Sequence, residues 1–174
     1  AQVAAGNAYT PFVPAGQEKM KVPAWLNDPR YYHNQGDSTW SGENSVYGDF
    51  IGLDDVDTDN PEVVAGMIDI YKNLISDWKP DGFRIDTVKH VNTGFWQKFS
   101  PAVISHARDV VGIKHFTMFG EVYSGDPRLL SFYTTTAGIP SVLDFGFQAA
   151  AASVVAANGK AGTMNELFAL DDMY

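Results

Sequence analysis

The amino-acid sequence predicts an α/β fold in which parallel strands alternate with helices. Three observations support this class. A helix-period segment begins at Asn60, residues 82–86 alternate like a short strand, and the order of helix and strand then repeats. This alternation is the pattern of a parallel sheet whose crossovers are helices. A barrel is favoured over an open doubly wound sheet because no glycine-rich phosphate loop follows the first strand.

The first predicted helix begins at Asn60, which is expected to cap it, and Pro61 occupies the first helical position. Its apolar residues recur at helical spacing: Val64, Met67, Ile68, Tyr71, Leu74, Ile75 and Trp78. Lys79 and Pro80 end this helix, and the strand at 82–86 follows.

The later elements repeat the pattern. A second helix is predicted over 93–111, with a kink or a restarted turn at Pro101 and a stop at Gly112. The remaining elements are a strand at 115–120, a short helix at 127–135, a third strand at 142–144 and an alanine-rich helix from about 147 to 157.

The first 60 residues are rich in turn-forming residues and lack a clear period. We expect an irregular, loop-rich segment with two short strands, and its many aromatic side chains favour an ordered one. Loops longer than roughly 15 residues in a compact protein are usually functional or disordered.

The composition limits the classes of partner. Twelve basic and 21 acidic residues give a net charge of −9, which argues against a nucleic acid partner and suits a neutral substrate or a bound cation. The absence of cysteine excludes disulfides and thiolate metal sites. The apolar runs are too short to span a bilayer, so we expect no membrane partner, and no signal peptide is recognised at Ala1.

Two carboxylates follow neighbouring predicted strands. Asp86 and Glu121 stand 35 positions apart, about one helix-plus-strand unit. Chemistry in a parallel barrel lies at the carboxyl ends of the strands, and adjacent strands are roughly 4.8 Å apart. The two carboxylates are therefore expected about 5 Å apart, the separation of a retaining glycoside hydrolase.

The neighbours of these carboxylates differ in polarity. Arg84 lies on the same strand face as Asp86 and is expected to favour its ionised form. Glu121 follows Met118, Phe119 and Gly120, a drier setting that would raise its pKa towards that of a general acid. Spacing alone leaves two other interpretations open: a metal site, and a structural ion pair between Arg84 and Asp86.

Three motifs resemble those of the alpha-amylase family, glycoside hydrolase family 13. Residues 81–91, DGFRIDTVKHV, are similar to its fourth-strand signature, and residues 119–122, FGEV, resemble its fifth-strand motif. Residues 53–58, LDDVDT, resemble the motif that ends its inserted loop domain. The resemblance implies a partial (β/α)8 TIM barrel, about the fourth to sixth strands, over 59–174, preceded by a loop-rich inserted domain over 1–58.

The resemblance also implies a reaction. Asp86 would be the nucleophile, Glu121 the acid/base and Arg84 the residue that orients Asp86, in a hydrolase that cleaves α-1,4-glucans such as starch by double displacement. A non-catalytic carbohydrate-binding or structural fragment, and a related transglycosylase or debranching enzyme, stay open as alternatives.

Further residues take roles from the same resemblance. Lys89 and His90 would line the leaving-group side of the cleft, and Tyr123 is expected to bind substrate. Asp49 and the backbone carbonyl of His90 would be ligands of a structural calcium ion, which prefers such oxygens. A glycine-aspartate pair such as Gly48-Asp49 is also a common surface turn, and Asp54 and Asp55 are expected to be structural.

Two motifs of the family are absent from this sequence: the Asn-His pair after its third strand and the His-Asp pair after its seventh, whose aspartate stabilises the transition state. The chain is therefore expected to begin in the loop domain and to stop after about the sixth strand. A complete barrel takes roughly 250 residues, so open strand edges favour self-association. An extracellular or periplasmic location is expected because starch polymers usually require secretion.

Overall fold

The structure, a computed structural model, describes residues 8–42, 44–157 and 159–173. Two parallel strands, β1 (Gly82–Ile85) and β2 (Thr117–Gly120), form its sheet. The α-helices in these residues are α1 (Asn44–Tyr47), α2 (Pro61–Trp78), α3 (Thr93–Ser105), α4 (Pro127–Thr135), α5 (Phe145–Ala156) and α6 (Gly162–Phe168). The 3-10 helices are Ala24–Asn27, Pro29–Tyr31, Val88–His90 and Asp171–Met173, and a π-helical stretch, His106–Val111, continues α3.

The sheet confirms the two central strands and their parallel register. Gly82 pairs with Thr117 and Ile85 pairs with Gly120. The third predicted strand, 142–144, is reduced to a single parallel bridge between Gly120 and Val142. It stops early because Asp144 leaves the sheet to cap α5, where its carboxylate accepts a hydrogen bond from the Phe147 amide at 2.7 Å.

Helix α2 begins and ends as predicted. The Asn60 side chain accepts a hydrogen bond from the Glu62 amide at 2.9 Å, and Pro61 is the first helical residue. Lys79 ends the helix in the left-handed conformation, with a φ of 48°. Trp78, the last helical residue, is 81% exposed and Leu74 is exposed as well, so the predicted apolar stripe is wider than the buried face.

The second predicted helix does not restart at Pro101, which lies inside the continuous helix α3. Regular α-helix runs to Ser105, and the irregularity is the π-helical stretch that follows. Gly112 ends the stretch with a φ of 86°, a value that favours glycine.

The main core lies between the sheet and the helices α2, α3 and α4. Its fully buried side chains include Ile75, Val88, Val103, Met118 and Leu130. Burial of each such side chain contributes about 1.5–3 kcal/mol before the entropic cost of ordering. This packing fixes the positions of β1 and β2, and with them the residues at their carboxyl ends.

The loop-rich segment before α2 is ordered by single contacts rather than by the two strands expected there. Among the described residues of 8–58, the β-pairing consists of isolated bridges, such as Tyr32 with Val56. Left-handed residues, including Asn34 and Gly36, interrupt any extended run. The side chain of Trp25 packs on α2 at Gly66, where a Cβ atom would lie 2.6 Å from its ring. Residues 1–7 of the predicted 1–58 domain lie outside the described residues.

Within the described ranges, none of the helices combines the length and the apolar character that crossing a bilayer requires.

Candidate active site

One guanidinium joins the two carboxylates at the strand ends. Arg84 Nη1 donates a hydrogen bond to Asp86 Oδ1 at 2.6 Å, and its Nη2 lies 3.2 Å from Glu121 Oε2. The structure therefore brings together the three residues expected to carry the chemistry. Charge-assisted pairs of this kind restrict the orientation of both carboxylates.

The backbone of the sheet holds this group in register. The Glu121 amide donates to the Ile85 carbonyl at 2.7 Å, and the Val88 amide donates to the Glu121 carbonyl at 3.1 Å. Gly120 must lack a side chain, since a Cβ atom there would lie 2.6 Å from Val88 Cγ2. The loops that follow β1 and β2 are thus locked to each other beside the two carboxylates.

A strained residue follows Asp86. Thr87 has a φ of 49°, the left-handed region that a β-branched residue rarely adopts. This turn ends β1 and starts the 3-10 helix Val88–His90, which carries Lys89 and His90. Strain of this kind often marks functional sites, where the surrounding packing maintains it.

The electrostatic setting favours an ionised Asp86. Its pKa lies below the ordinary value, first because of its side-chain hydrogen bond with Glu121 and then because of the hydrogen bond and charge of Arg84. The Asp86 side chain is 64% exposed, whereas that of Glu121 is 23% exposed. These features agree with the expected role of Arg84, while proton storage on Glu121 stays a prediction.

The three expected substrate-binding residues lie close to this group. Lys89 Nζ donates to the backbone carbonyl of Tyr123 at 3.0 Å, and Tyr123 is 71% exposed. His90 Nδ1 donates to the Ser45 carbonyl at 2.7 Å. This bond fixes the tautomer, so that a neutral His90 presents Nε2 as an acceptor.

A cleft of about 350 Å³ opens beside Asp86, between the loop-rich segment and the end of β1. Its walls include two aromatic rings that the assignment of site residues missed, Trp40 and Phe50. The Trp40 ring meets both Phe50 and His90 edge-on, at centroid distances of 5.0 Å. The sequence signal for them is the concentration of aromatic residues in a segment without a helix or strand period.

The expected calcium ligand Asp49 is 5% exposed and already hydrogen-bonded. One oxygen accepts from the Tyr9 hydroxyl at 2.8 Å and the other from the Asp55 amide at 2.8 Å. Burial, and then the hydrogen bond to Asp49, raise the pKa of Tyr9. In the part of the chain that the structure describes, no three His, Asp or Glu side chains form a group able to hold a metal ion.

A partly buried histidine connects the loop-rich segment to the LDDVDT motif. His33 Nδ1 lies 2.6 Å from Asp55 Oδ2 and its Nε2 lies 3.2 Å from Asp57 Oδ1, while the side chain is 8% exposed. Burial raises the pKa of Asp55, although His33 opposes the shift. These contacts support the structural role expected for Asp55, and they position one wall of the cleft.

Comparisons with known proteins agree with the motifs. The family model "Alpha amylase, catalytic domain" matches residues 9–174. The chain is 48% identical over 165 residues to an alpha-amylase of Streptomyces lividans, covering 95% of this chain and 18% of that protein. It is 30% identical over 156 residues to a cyclomaltodextrin glucanotransferase of Bacillus licheniformis, covering 87% of this chain and 20% of that protein.

A solved structure gives the same result. The alpha-amylase of Geobacillus thermoleovorans, crystallised with acarbose, matches with a TM-score of 0.61 and 34% identity over 72% of this chain and 28% of that chain. This similarity supports a partial barrel of the predicted α/β class. The chain spans roughly a fifth of the length of the relatives it matches, 18% and 20% for the two above.

Proposed function

This chain belongs to the alpha-amylase catalytic-domain family. We propose that it is the part of a retaining glycoside hydrolase that supplies the nucleophile and the acid/base. The substrate class is an α-1,4-glucan such as starch. The observation that carries the proposal is the contact of Arg84 with both Asp86 and Glu121. The alpha-amylase of Streptomyces lividans supports the substrate class by its similarity.

The reaction proceeds in two displacements. An oxygen of ionised Asp86 attacks the anomeric carbon, the bond to the glycosidic oxygen breaks, and that oxygen takes the proton of Glu121. Glu121 then removes a proton from water, whose oxygen attacks the same carbon and breaks the bond to Asp86. Arg84 orients both carboxylates through its two nitrogens, so each is in place before substrate binds.

The cleft beside Asp86 is the substrate site of this proposal. The apolar face of a glucosyl ring packs on an aromatic ring, and Trp40 and Phe50 offer such rings next to the nucleophile. His90 lines this cleft, whereas Lys89 and Tyr123 lie outside it, and all three are assigned to the side from which the leaving sugar departs. The carboxylates of Asp54, Asp55 and Asp86 line this cleft, and no lysine or arginine is among its described lining residues. Such a lining suits a neutral polymer better than an anionic one.

A transglycosylase is the second candidate, favoured by the 30% identity to the glucanotransferase of Bacillus licheniformis. In that reaction a sugar hydroxyl replaces water in the second displacement. Product analysis separates the two: a hydrolase gives one new reducing end per bond cleaved, whereas a transglycosylase gives transfer products without that increase.

Within the barrel, we assign β1, β2 and the bridge at Val142 to the fourth, fifth and sixth strands. Among the described residues β1 pairs with one strand only, and an apolar groove of about 430 Å³ lies beside it, lined in part by Tyr71, Phe83 and Phe99. Self-association through this edge is a further proposal. Sedimentation at increasing concentration tests it, since a constant molecular mass would contradict it.

Calcium binding and location are proposals as well. The oxygens of Asp49 and the carbonyl of His90 have the chemistry that calcium prefers, but two ligands fall short of the usual six to eight, so other oxygens must contribute. A rise in unfolding temperature with added calcium, absent in Asp49→Asn, tests this site. An extracellular or periplasmic location follows from the size of the substrate, and cell fractionation tests it.

Release of reducing sugar from soluble starch tests the proposed function. The chain is expected to release sugar, while Asp86→Asn and Glu121→Gln each lose about a thousandfold or more in rate. Binding of maltoheptaose to all three proteins without turnover in any of them would instead support the alternative of a non-catalytic carbohydrate-binding segment.

A further inference from the structure

We infer that Phe145 is a positioning residue for substrate binding: it holds the ring of Tyr123 edge-on, so that the exposed face of Tyr123 receives the leaving glucosyl unit. This inference rests on the proposed function and extends it to a residue that the motifs do not contain. The ring centroids of Tyr123 and Phe145 are 5.1 Å apart, with an angle of 75° between the planes.

Tyr123 is exposed but fixed at two points. Its backbone carbonyl accepts the hydrogen bond from Lys89 Nζ at 3.0 Å, and its ring meets Phe145. An exposed aromatic ring with no support would lose conformational freedom on binding a sugar. Support from both residues reduces that cost before the ligand arrives.

Phe145 is itself anchored by the sheet that places Glu121. The Gly120 amide donates to the Ser141 carbonyl at 2.9 Å, and the Leu143 amide donates to the Gly120 carbonyl at 3.0 Å. Phe145 follows two residues later as the first residue of α5, whose cap is Asp144. The distance between Phe145 and the acid/base is therefore set by backbone pairing at Gly120, the residue next to Glu121.

Three segments, each following a successive strand or bridge, converge in this arrangement. Lys89 follows β1, Tyr123 follows β2, and Phe145 follows the bridge at Val142. The acid/base protonates the leaving oxygen. The residues that directly follow Glu121 in the chain, such as Tyr123, therefore lie on the side where the leaving sugar departs. The cleft of Trp40 and Phe50 does not include Tyr123 or Phe145, which makes this pair a separate contact surface.

Two substrates separate this role from a general effect on the fold. Maltoheptaose places glucosyl units on the leaving side, whereas α-maltosyl fluoride has only fluoride there. Phe145→Leu keeps apolar volume without a ring, and Phe145→Tyr keeps the ring. Phe145→Leu is expected to lower kcat/KM for maltoheptaose about fivefold to tenfold, mainly through KM, and to leave fluoride release unchanged. Phe145→Tyr is expected to retain the wild-type values on both substrates.

Equal losses on the two substrates in Phe145→Leu, or no loss on either, would overturn the inference while leaving the proposed function intact. Failure of the unaltered chain to cleave either substrate would be a failure of the proposed function, and the inference would fall with it. The unfolding midpoint of each variant, measured in parallel, identifies any loss that comes from unfolding.

Discussion

Arg84 lies on β1 and Glu121 directly follows the neighbouring parallel strand β2, and the 3.2 Å contact between their side chains brings the guanidinium to both Glu121 and Asp86. Arg84 Nη1 contacts Asp86 at the same time, at 2.6 Å. The ion pair between Arg84 and Asp86 is therefore more than a structural feature of β1, because the same guanidinium also orients Glu121.

Replacement of Arg84 by lysine is expected to lower kcat by about 100-fold, because one ammonium group cannot hold both carboxylates as the planar guanidinium does. Arg108→Lys is the matched control, since Arg108 pairs with Asp109 on the surface with both side chains more than half exposed. Starch hydrolysis by the two variants measures the effect. Equal rates in both would show that the contact of Arg84 has no part in catalysis.

The ionisation of Asp86 provides a pH prediction. Its lowered pKa means that the stabilising contacts of the charged form are present above the unfolded pKa, roughly 3.9, and are lost as pH falls through the folded value. Arg84→Met removes one of the contributions that lower the pKa, so Asp86 should titrate at higher pH. Carboxyl carbon-13 NMR of aspartate-labelled protein follows this titration, and a titration unchanged from the wild type would contradict the account.

The packing of Trp25 on α2 is tested at Gly66. Alanine there would place its Cβ 2.6 Å from the Trp25 ring, so we expect Gly66→Ala to cost about 1–3 kcal/mol of unfolding free energy. Gly94→Ala in α3 has open space and should be neutral or slightly stabilising. Denaturant titration followed by tryptophan fluorescence compares the two, and a neutral Gly66→Ala would show that the Trp25 contact is loose.

A second glycine tests how Glu121, the proposed acid/base, is placed. Gly120→Ala would bring its Cβ within 2.6 Å of Val88 Cγ2 and should shift the loops beside Asp86 and Glu121, with a fall in kcat of about 100-fold. Gly125→Ala, in the loop after β2, meets no atom within 4 Å and should keep its activity. Comparable activity of both variants would contradict the close packing at Gly120.

The aromatic wall of the cleft is tested with two tryptophans. Trp40→Ala is expected to weaken maltoheptaose binding to the Asp86→Asn protein about tenfold, because it removes a ring beside the proposed nucleophile. Trp78→Ala removes an exposed ring at the end of α2, which does not line the cleft. Isothermal titration calorimetry gives both affinities, and equal weakening would exclude a specific role for Trp40.

The sequence predicts the elements whose signals are local. Asn60 and Pro61 mark the start of α2, and the alternation around Arg84 marks β1, because caps and short periods depend on neighbouring residues. The proximity of Asp86 and Glu121 follows from parallel pairing of their strands.

Other features depend on long-range contacts and leave no local pattern. Trp40 reaches the cleft through a left-handed backbone, with a φ of 61°, and through ring contacts with residues distant in sequence. The pairing of His33 with Asp55 spans 22 residues. The third strand shrinks to a bridge because the capping function of Asp144 competes with sheet pairing.

Trapping of the covalent intermediate tests the central claim most directly. A 5-fluoro-α-glucosyl fluoride slows the second displacement, so the glycosyl group should accumulate on the nucleophile. Mass spectrometry of proteolytic fragments is expected to show one added glycosyl group on Asp86, and none in the Asp86→Asn protein. Starch hydrolysis by a chain that gives no such adduct, or an adduct on Glu121, would contradict the assignment of Asp86 as nucleophile.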